Sequence, residues 1–351
     1  MKTSFAFLIL TSSLPALANI QYTCDPSIGA SVCASLNGSS VSGIYSSIFG
    51  SSMTASIYIS FGNTGIGASN ATFTAVDYST YYNALAAHSD DPTALASLGV
   101  SGDPLGSASN GMVDISAALA SALGITENGA NTAGIDDMGN PCSLGSSGCF
   151  NGVITIGGDL SNFFFPSSPG SPPPTAPPVI DFYLVVEHET DEILGTISCI
   201  GGDNVDQCNP TGTDAAAADL FRFSGLGQRS FLSTSDSCTP VYEYFAYFSI
   251  NGGSTDIADY NNCQAGGDYG DWIPAYPYLV QDSEASPNAN LDISTDFSVN
   301  GSGYIGSPEV AVLDAIGFNL GTATPEPATF GLLGTSLALL VLARRRPSGR
   351  R

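Results

Sequence analysis

The stretch "VVEHETDEILG", Val185 to Gly195, sets His188 beside Glu189 and puts Glu192 four residues after the histidine. On a helix, residues four apart share a face, so the imidazole of His188 and the carboxylate of Glu192 can grip one cation together. Glu189 lies one position round, in reach of a water on that cation without binding the cation itself. This is the geometry of an H-E-x-x-H zinc site with glutamate in place of the second histidine. A carboxylate oxygen ligates zinc at much the same distance as an imidazole nitrogen, so the pair is chemically sound. The second anionic donor lowers the net positive charge on the metal, which acidifies its water less and pulls more weakly on a carbonyl. The competing reading is a solvated acidic face built from Glu187, Glu189, Asp191 and Glu192. Scarcity weighs against it, because His88 and His188 are the only histidines in the chain.

Two ligands leave a coordination site to complete. Asp219, opening "DLFRFS", is the first candidate for a third metal ligand, and its rival roles are a helix cap or an ion pair with Arg222. Asp268 and Asp271, flanking Tyr269 in "GGDYGDW", come next. For them the competing role is a turn stabilised by aspartate side chains with Trp272 packed beneath. Arg222 and Arg229 stand out because positive charge is so rare here. Either can hold a substrate carboxylate or an oxyanion, and either can serve in a structural ion pair. His88, in "LAAHSDD", reads as a helix-end residue favoured by the dipole. Asp203, Asp206 and Asp214 lack EF-hand spacing, which leaves loop-bound Ca2+ as a second cofactor to consider beside Zn2+. No G-x-S-x-G elbow occurs. A glycoside hydrolase would find carboxylates in plenty, but Trp272 is the only tryptophan for a sugar platform.

The elements that must position these residues read as α+β. "ASIYISFG", Ala55 to Gly62, alternates as a strand does, and "GVITIGG" near Val153 is a second strand. Between them "YSTYYNALAAH", "DPTALASLG" and "VDISAALASALGI" read as helices, the last with Asp114 as cap and Gly124 as stop. "PSSPGSPPPTAPP", Pro166 to Pro178, cannot be regular structure and reads as a surface loop leading to the next helix. That helix runs from Asp181 to about Ile197. A closing helix is expected in "SPEVAVLDAIGFN", with Ser307 as cap, Pro308 at its first position, Glu309 in the first turn and Gly317 at its end.

Composition sets the outer limits. The chain has 351 residues, 43% of them hydrophobic, with 40 glycines, enough for a real core linked by long loops. Both ends carry processing signals. Lys2, the apolar run Phe5 to Leu10 and the Ala16-Leu17-Ala18 site read as a signal peptide over residues 1–18. At the other end "PEPATFGLLGTSLALLVLARRR" joins Pro325-Glu326-Pro327 to an apolar run and three arginines. As a helix, Ala328 to Ala343 would reach about 24 Å, against about 30 Å of hydrocarbon core. This tail, 325–351, resembles the PEP-CTERM sorting signal of Gram-negative bacteria. The resemblance implies transient inner-membrane anchoring and removal by an exosortase-type enzyme, with the protein ending outside the cell or on its surface. The segment between, 19–324, keeps only Arg222 and Arg229 as basic residues, while the chain carries 32 acidic ones and a net charge of -24. So acidic a surface repels phosphate backbones and argues against nucleic acid as a partner. The eight cysteines suit an exported, disulfide-bonded chain. Sequence neighbours pair most simply: Cys24 with Cys33, Cys142 with Cys149, Cys199 with Cys208 and Cys238 with Cys263.

The segments "EHETDEILGTISC", "DLFRFSGLGQRSF", "YFSINGG", "GGDYGDW" and "EVAVLDAIGFN", in that order, resemble an exported, PEP-CTERM-bearing bacterial family of zinc metalloproteases whose active helix also reads H-E-x-x-E. The likeness spans most of 19–324. It implies a metzincin-like zinc protease domain: a mixed β-sheet, an active-site helix, and an irregular, loop-rich C-terminal part that ends in a helix. The N-terminal part is then 19–180 and the C-terminal part 181–324. Gly195 keeps the spacing at which a metzincin chain turns sharply after its active helix, but Ser198 stands where a third histidine is expected. The implied activity is hydrolysis of protein or peptide substrates; from the residues themselves, His188, Glu192 and Asp219 are read as the zinc ligands, Glu189 as base and Arg222 as the weaker substrate or oxyanion candidate. The alternative is a non-catalytic surface or matrix protein that keeps such a fold.

Overall fold

The computed structural model describes residues 19–49, 53–99, 111–166, 180–200, 208, 215–231, 246–261, 269–273 and 307–321. The chain divides into two units, Met1–Leu320 and Gly321–Arg351, and every described residue except Gly321 belongs to the first. The expected signal peptide, most of the proline-rich loop, Asp203, Asp206, Asp214, Cys238, Cys263, Asp268 and the PEP tail all lie outside the described residues. Among the described residues, no helix is long and apolar enough to cross a membrane.

The fold is α+β. Strand β1 (Asn19–Cys24) leads through helices α1 (Ala30–Leu36) and α2 (Ser42–Ile48) into β2 (Thr54–Gly62), which lies parallel to it. A helical crossover is what a parallel pair requires. Strand β3 (Gly67–Ala71) is followed by β4 (Phe73–Asp77), α3 (Tyr78–His88), α4 (Pro92–Leu98), β5 (Met112–Ser116) and α5 (Ala117–Leu123). A short hairpin, β6 (Ala133–Ile135) with β7 (Pro141–Ser143), precedes β8 (Gly152–Gly157). The main sheet has the order β1-β2-β8-β3; β8 runs parallel to β2, and β3 closes the edge antiparallel to β8. Ile57, Ile59, Ile154 and Ile156 point inward from its two central strands and are fully buried.

Local chemistry explains most boundaries. Asp91 accepts hydrogen bonds from the backbone N–H groups of Thr93 and Ala94 and starts α4. The "VDISAALASALGI" segment departs from expectation: Met112–Ser116 is strand, with Asp114 buried in it, and Ser116 rather than Asp114 caps α5. The alternation Val113, Ile115 suits a strand beside β4, and tertiary pairing overrides the helical pattern of the segment's first four residues. Gly124 ends α5 in the left-handed region, as expected.

The remaining elements assemble the site. Strands β9 (Phe163–Phe164) and β10 (Ile180–Asp181) pair in parallel and deliver the chain to α6 (Phe182–Asp191). Strand β11 (Ala215–Ala216) adds to β5. Strands β12 (Arg222–Gly225), β13 (Gln228–Arg229), β14 (Tyr247–Phe248) and β15 (Ala258–Asp259) form a small antiparallel sheet. Helix α7 (Pro308–Ile316) has the Ser307 cap, the first-position proline and the Gly317 stop read from the sequence. Three disulfides join Cys24 to Cys33, Cys142 to Cys149 and Cys199 to Cys208, with separations of 9, 7 and 9 residues. Loops this short contribute about 2–3 kcal/mol each by restricting the unfolded chain.

Candidate metal centre

Asp181 caps α6 by accepting from the N–H groups of Tyr183 and Leu184. Regular helix ends at Asp191, six residues before the expected boundary. A wider turn over Glu192–Thr196 follows, and within it Gly195 has φ of 135°. A side chain there would be strained whatever the space around it, so the glycine lets the chain leave the helix abruptly. Ser116, the cap of α5, donates to the carbonyl of Leu194 at 2.7 Å and fixes the exit.

The solvated acidic face does not exist. Glu187, Glu189, Asp191 and Glu192 are 1, 5, 0 and 9% exposed. Buried carboxylates need a donor, a proton or a cation beside them. On the rear of the helix, Tyr45 Oη donates to Asp191 Oδ1 at 2.5 Å and to the carbonyl of Glu187 at 3.2 Å. The hydroxyls of Tyr22 and Thr190 meet at 2.8 Å.

On the other face, donor atoms of His188, Glu189 and Glu192 lie within 4.8 Å of one another. His188 Nε2 is 3.7 Å from Glu192 Oε1 and 3.4 Å from Asp271 Oδ1. Ser69 of β3 donates to Glu192 Oε2 at 2.6 Å, which fixes the far oxygen and leaves Oε1 turned to the imidazole. The histidine keeps 16% of its side-chain surface open and Glu192 12%, so solvent reaches the cluster. Gly67, also on β3, sits so close to the helix that a Cβ would collide with Glu189 Oε1 and come within 2.8 Å of Val185 Cγ1.

Charge follows from this crowding. Burial opposes a charged imidazole at His188, but the carboxylates of Asp271 and Glu192 outweigh it and hold the group well above the usual histidine range. Burial, reinforced by the neighbouring Glu192, pushes the Glu189 carboxyl well up. Burial also acts on Glu192, where the His188 contact prevails and draws it down. Three carboxylates around one imidazole are an excess of negative charge that a divalent cation would neutralise. The donor set, one imidazole nitrogen and carboxylate oxygens at these separations, fits a zinc-sized ion.

Other expected site residues lie elsewhere. Asp219 is not among the clustered donors. Its Oδ1 accepts from Ser198 Oγ at 2.7 Å, and its Oδ2 accepts from the N–H groups of Cys199 and Ala216, both at 2.9 Å. It fastens the chain leaving α6, and Ser198, in the expected place of a third histidine, is its partner. Burial raises its carboxyl, partly offset by Arg222. Arg222 is 0% exposed, a poor position for a substrate clamp; its Nη1 donates to the carbonyl of Tyr269 at 2.7 Å and its guanidinium lies 4.4 Å from the Tyr260 ring centroid. Arg229 donates to the Ser97 carbonyl at 2.6 Å and packs over Phe223. His88 ends α3, exposed, as read from the sequence.

Asp271, the next candidate, is the one brought to the histidine, on a turn where Trp272 also packs in the core. Asp114 approaches Cys199 and Cys208, but these are joined to each other, so no thiolate is present there. Sequence reasoning missed Ser69 and Gly67. Neither belongs to a motif; the only signal in the sequence is the closely spaced glycines of "GNTGIGASN", Gly62 to Asn70. Comparison of the chain with family models, with curated proteins and with solved structures finds no match.

Proposed function

We propose that this is a metal-dependent hydrolase of peptide bonds, a zinc endopeptidase of metzincin-like design. The observation that carries the reading is the buried convergence of His188, Glu189 and Glu192 on the solvent-reached side of one helix. A neighbouring feature supports a peptide as substrate. Among the described residues β3 is the outermost strand of the main sheet, paired with β8, and an outer strand is where an extended chain can add to a sheet.

His188 and Glu192 would hold the ion, with Ser69 fixing the glutamate. When bound, the ion supplies Lewis acidity toward a water and toward the scissile carbonyl. Glu189, next to these donors and pressed between Gly67 and the helix, takes the proton of the attacking water and returns it to the departing amine. A loop-bound calcium would draw on Asp203, Asp206 and Asp214, which lie outside the described residues. The tail reading goes with this function: an exported enzyme, anchored at the inner membrane until an exosortase-type enzyme releases it.

The test is Glu189→Gln in the purified 19–324 segment. Zinc content should stay near one per chain, while cleavage of a casein-type substrate falls at least about 100-fold, the lower end of general-base effects. Chelator should abolish cleavage by the parent chain. An unchanged rate in the variant, or a parent chain that binds no divalent ion, overturns the reading in favour of a non-catalytic surface protein.

A further inference from the structure

We propose that Asp271 is the third protein ligand of the metal centre, held there by a buried clamp made of Arg222 and Glu309. This rests on the metallohydrolase reading above. The first support is distance. Two ligand atoms at about 2.0–2.1 Å from one tetrahedral ion are separated by about 3.4 Å. His188 Nε2 to Asp271 Oδ1 is 3.4 Å and to Glu192 Oε1 is 3.7 Å. Both exceed the usual hydrogen-bond range, and both fit edges of a coordination polyhedron.

The second support is how the aspartate is carried. Its own carbonyl accepts from the N–H of Asn261 at 2.6 Å. Two residues earlier, the Tyr269 carbonyl accepts from Arg222 Nη1. One residue later, Trp272 Nε1 donates to Glu309 Oε1 at 3.0 Å, in the first turn of α7. The Trp272 ring packs on Tyr260 at 4.9 Å, and Tyr260 in turn lies under the Arg222 guanidinium. A ligand on a turn is placed only as well as its supporting shell allows. Here the turn is anchored before and after the aspartate by side chains that are themselves buried, Arg222 at 0%, Trp272 at 1% and Glu309 at 0% exposure. One imidazole and two carboxylates then neutralise a divalent ion, so the set favours oxygen-seeking ions more than a three-histidine set does. The planar guanidinium both donates and stacks, which a lysine ammonium in its place cannot do.

The experiment measures metal binding by calorimetry with Zn2+ on the 19–324 segment, and the visible spectrum after loading with Co2+. Asp271→Asn, nearly isosteric, should weaken zinc binding about 100-fold, the upper end of what an altered ligand shell costs, and change the Co2+ spectrum. Arg222→Lys and Trp272→Phe should each weaken it about tenfold and shift the spectrum in the same direction as Asp271→Asn. Should Arg222→Lys fail to fold, Trp272→Phe decides the clamp. Asp271→Asn binding like the parent, while His188→Ala does not bind, overturns Asp271 as ligand and leaves the hydrolase reading standing. Folded clamp variants with the parent's affinity and spectrum overturn the clamp alone. A parent chain without zinc affinity overturns the hydrolase reading itself.

Discussion

At the scale of single residues, the contact between Gly67 and Glu189 is the sharpest constraint on the proposed base. Gly67 has no need of glycine for its backbone; it lacks a side chain because Glu189 Oε1 and Val185 Cγ1 occupy the space. Gly67→Ala therefore acts through volume alone. An added methyl at a well-packed contact typically costs about 1–3 kcal/mol, and the atom most easily displaced is the carboxylate that must take a proton. The expected result is a folded variant with its zinc retained and its hydrolysis reduced at least tenfold, a loss of the kind caused by small misplacements of catalytic groups. Zinc content, a thermal melt and the casein assay together check it. A variant as active as the parent would mean that Glu189 is not held in place by β3. No periodicity in the sequence could have shown this pairing, because the two residues meet only when the β3 edge and α6 pack together.

Elements differ in how far their positions are readable. Helix ends set by local hydrogen bonds were legible: Gly124 after Leu123, Ser307 before Pro308, Gly317 after Ile316. The approach of His188 to Glu192 was legible for the same reason, since four residues of helix bring them together without help from elsewhere. Where a distant element decides, reading failed. Pairing with β4 made Met112–Ser116 a strand, and Asp219 turned toward Ser198 and the backbone of Cys199, neither of which a spacing rule anticipates. Helix α6 itself is held from behind by α2 through Tyr45, which supplies Asp191 Oδ1 with its donor while Oδ2 has no partner among the described residues. Tyr45→Phe keeps the ring and removes the donor, leaving a buried carboxyl without it. A loss of about 1–3 kcal/mol in urea unfolding is expected. An undiminished stability would show that the acidic rear of α6 does not depend on this hydroxyl.

Across the whole molecule, the shortage of positive charge becomes a dependence on pH. Between residues 19 and 324 only Arg222 and Arg229 are basic, and both are engaged inside the fold, so neither is available to the acidic surface. Asp314 in the last turn of α7 shows the consequence. Burial first, and then the nearby Asp90 and Asp91, push its carboxyl up to about 7, and its Oδ1 lies buried without a hydrogen-bond partner among the described residues. A helix C-terminus adds to the cost of an anion there. Because the folded state binds this proton more tightly than the unfolded chain, stability from Asp314 is full below the ordinary carboxylate range near pH 4. It declines as pH rises and is lost above about 7. Asp314→Asn removes the titration while keeping a group that can donate to Asp90. The variant should melt at the same temperature as the parent at pH 4 and several degrees higher at pH 8, with the difference opening between those values. Equal melting temperatures at pH 8 would mean that the cluster is neutralised by something other than a proton. Repeating the pH 8 melts at high ionic strength separates the terms further: screening should help the parent through its exposed carboxylates and change little at the buried Asp314.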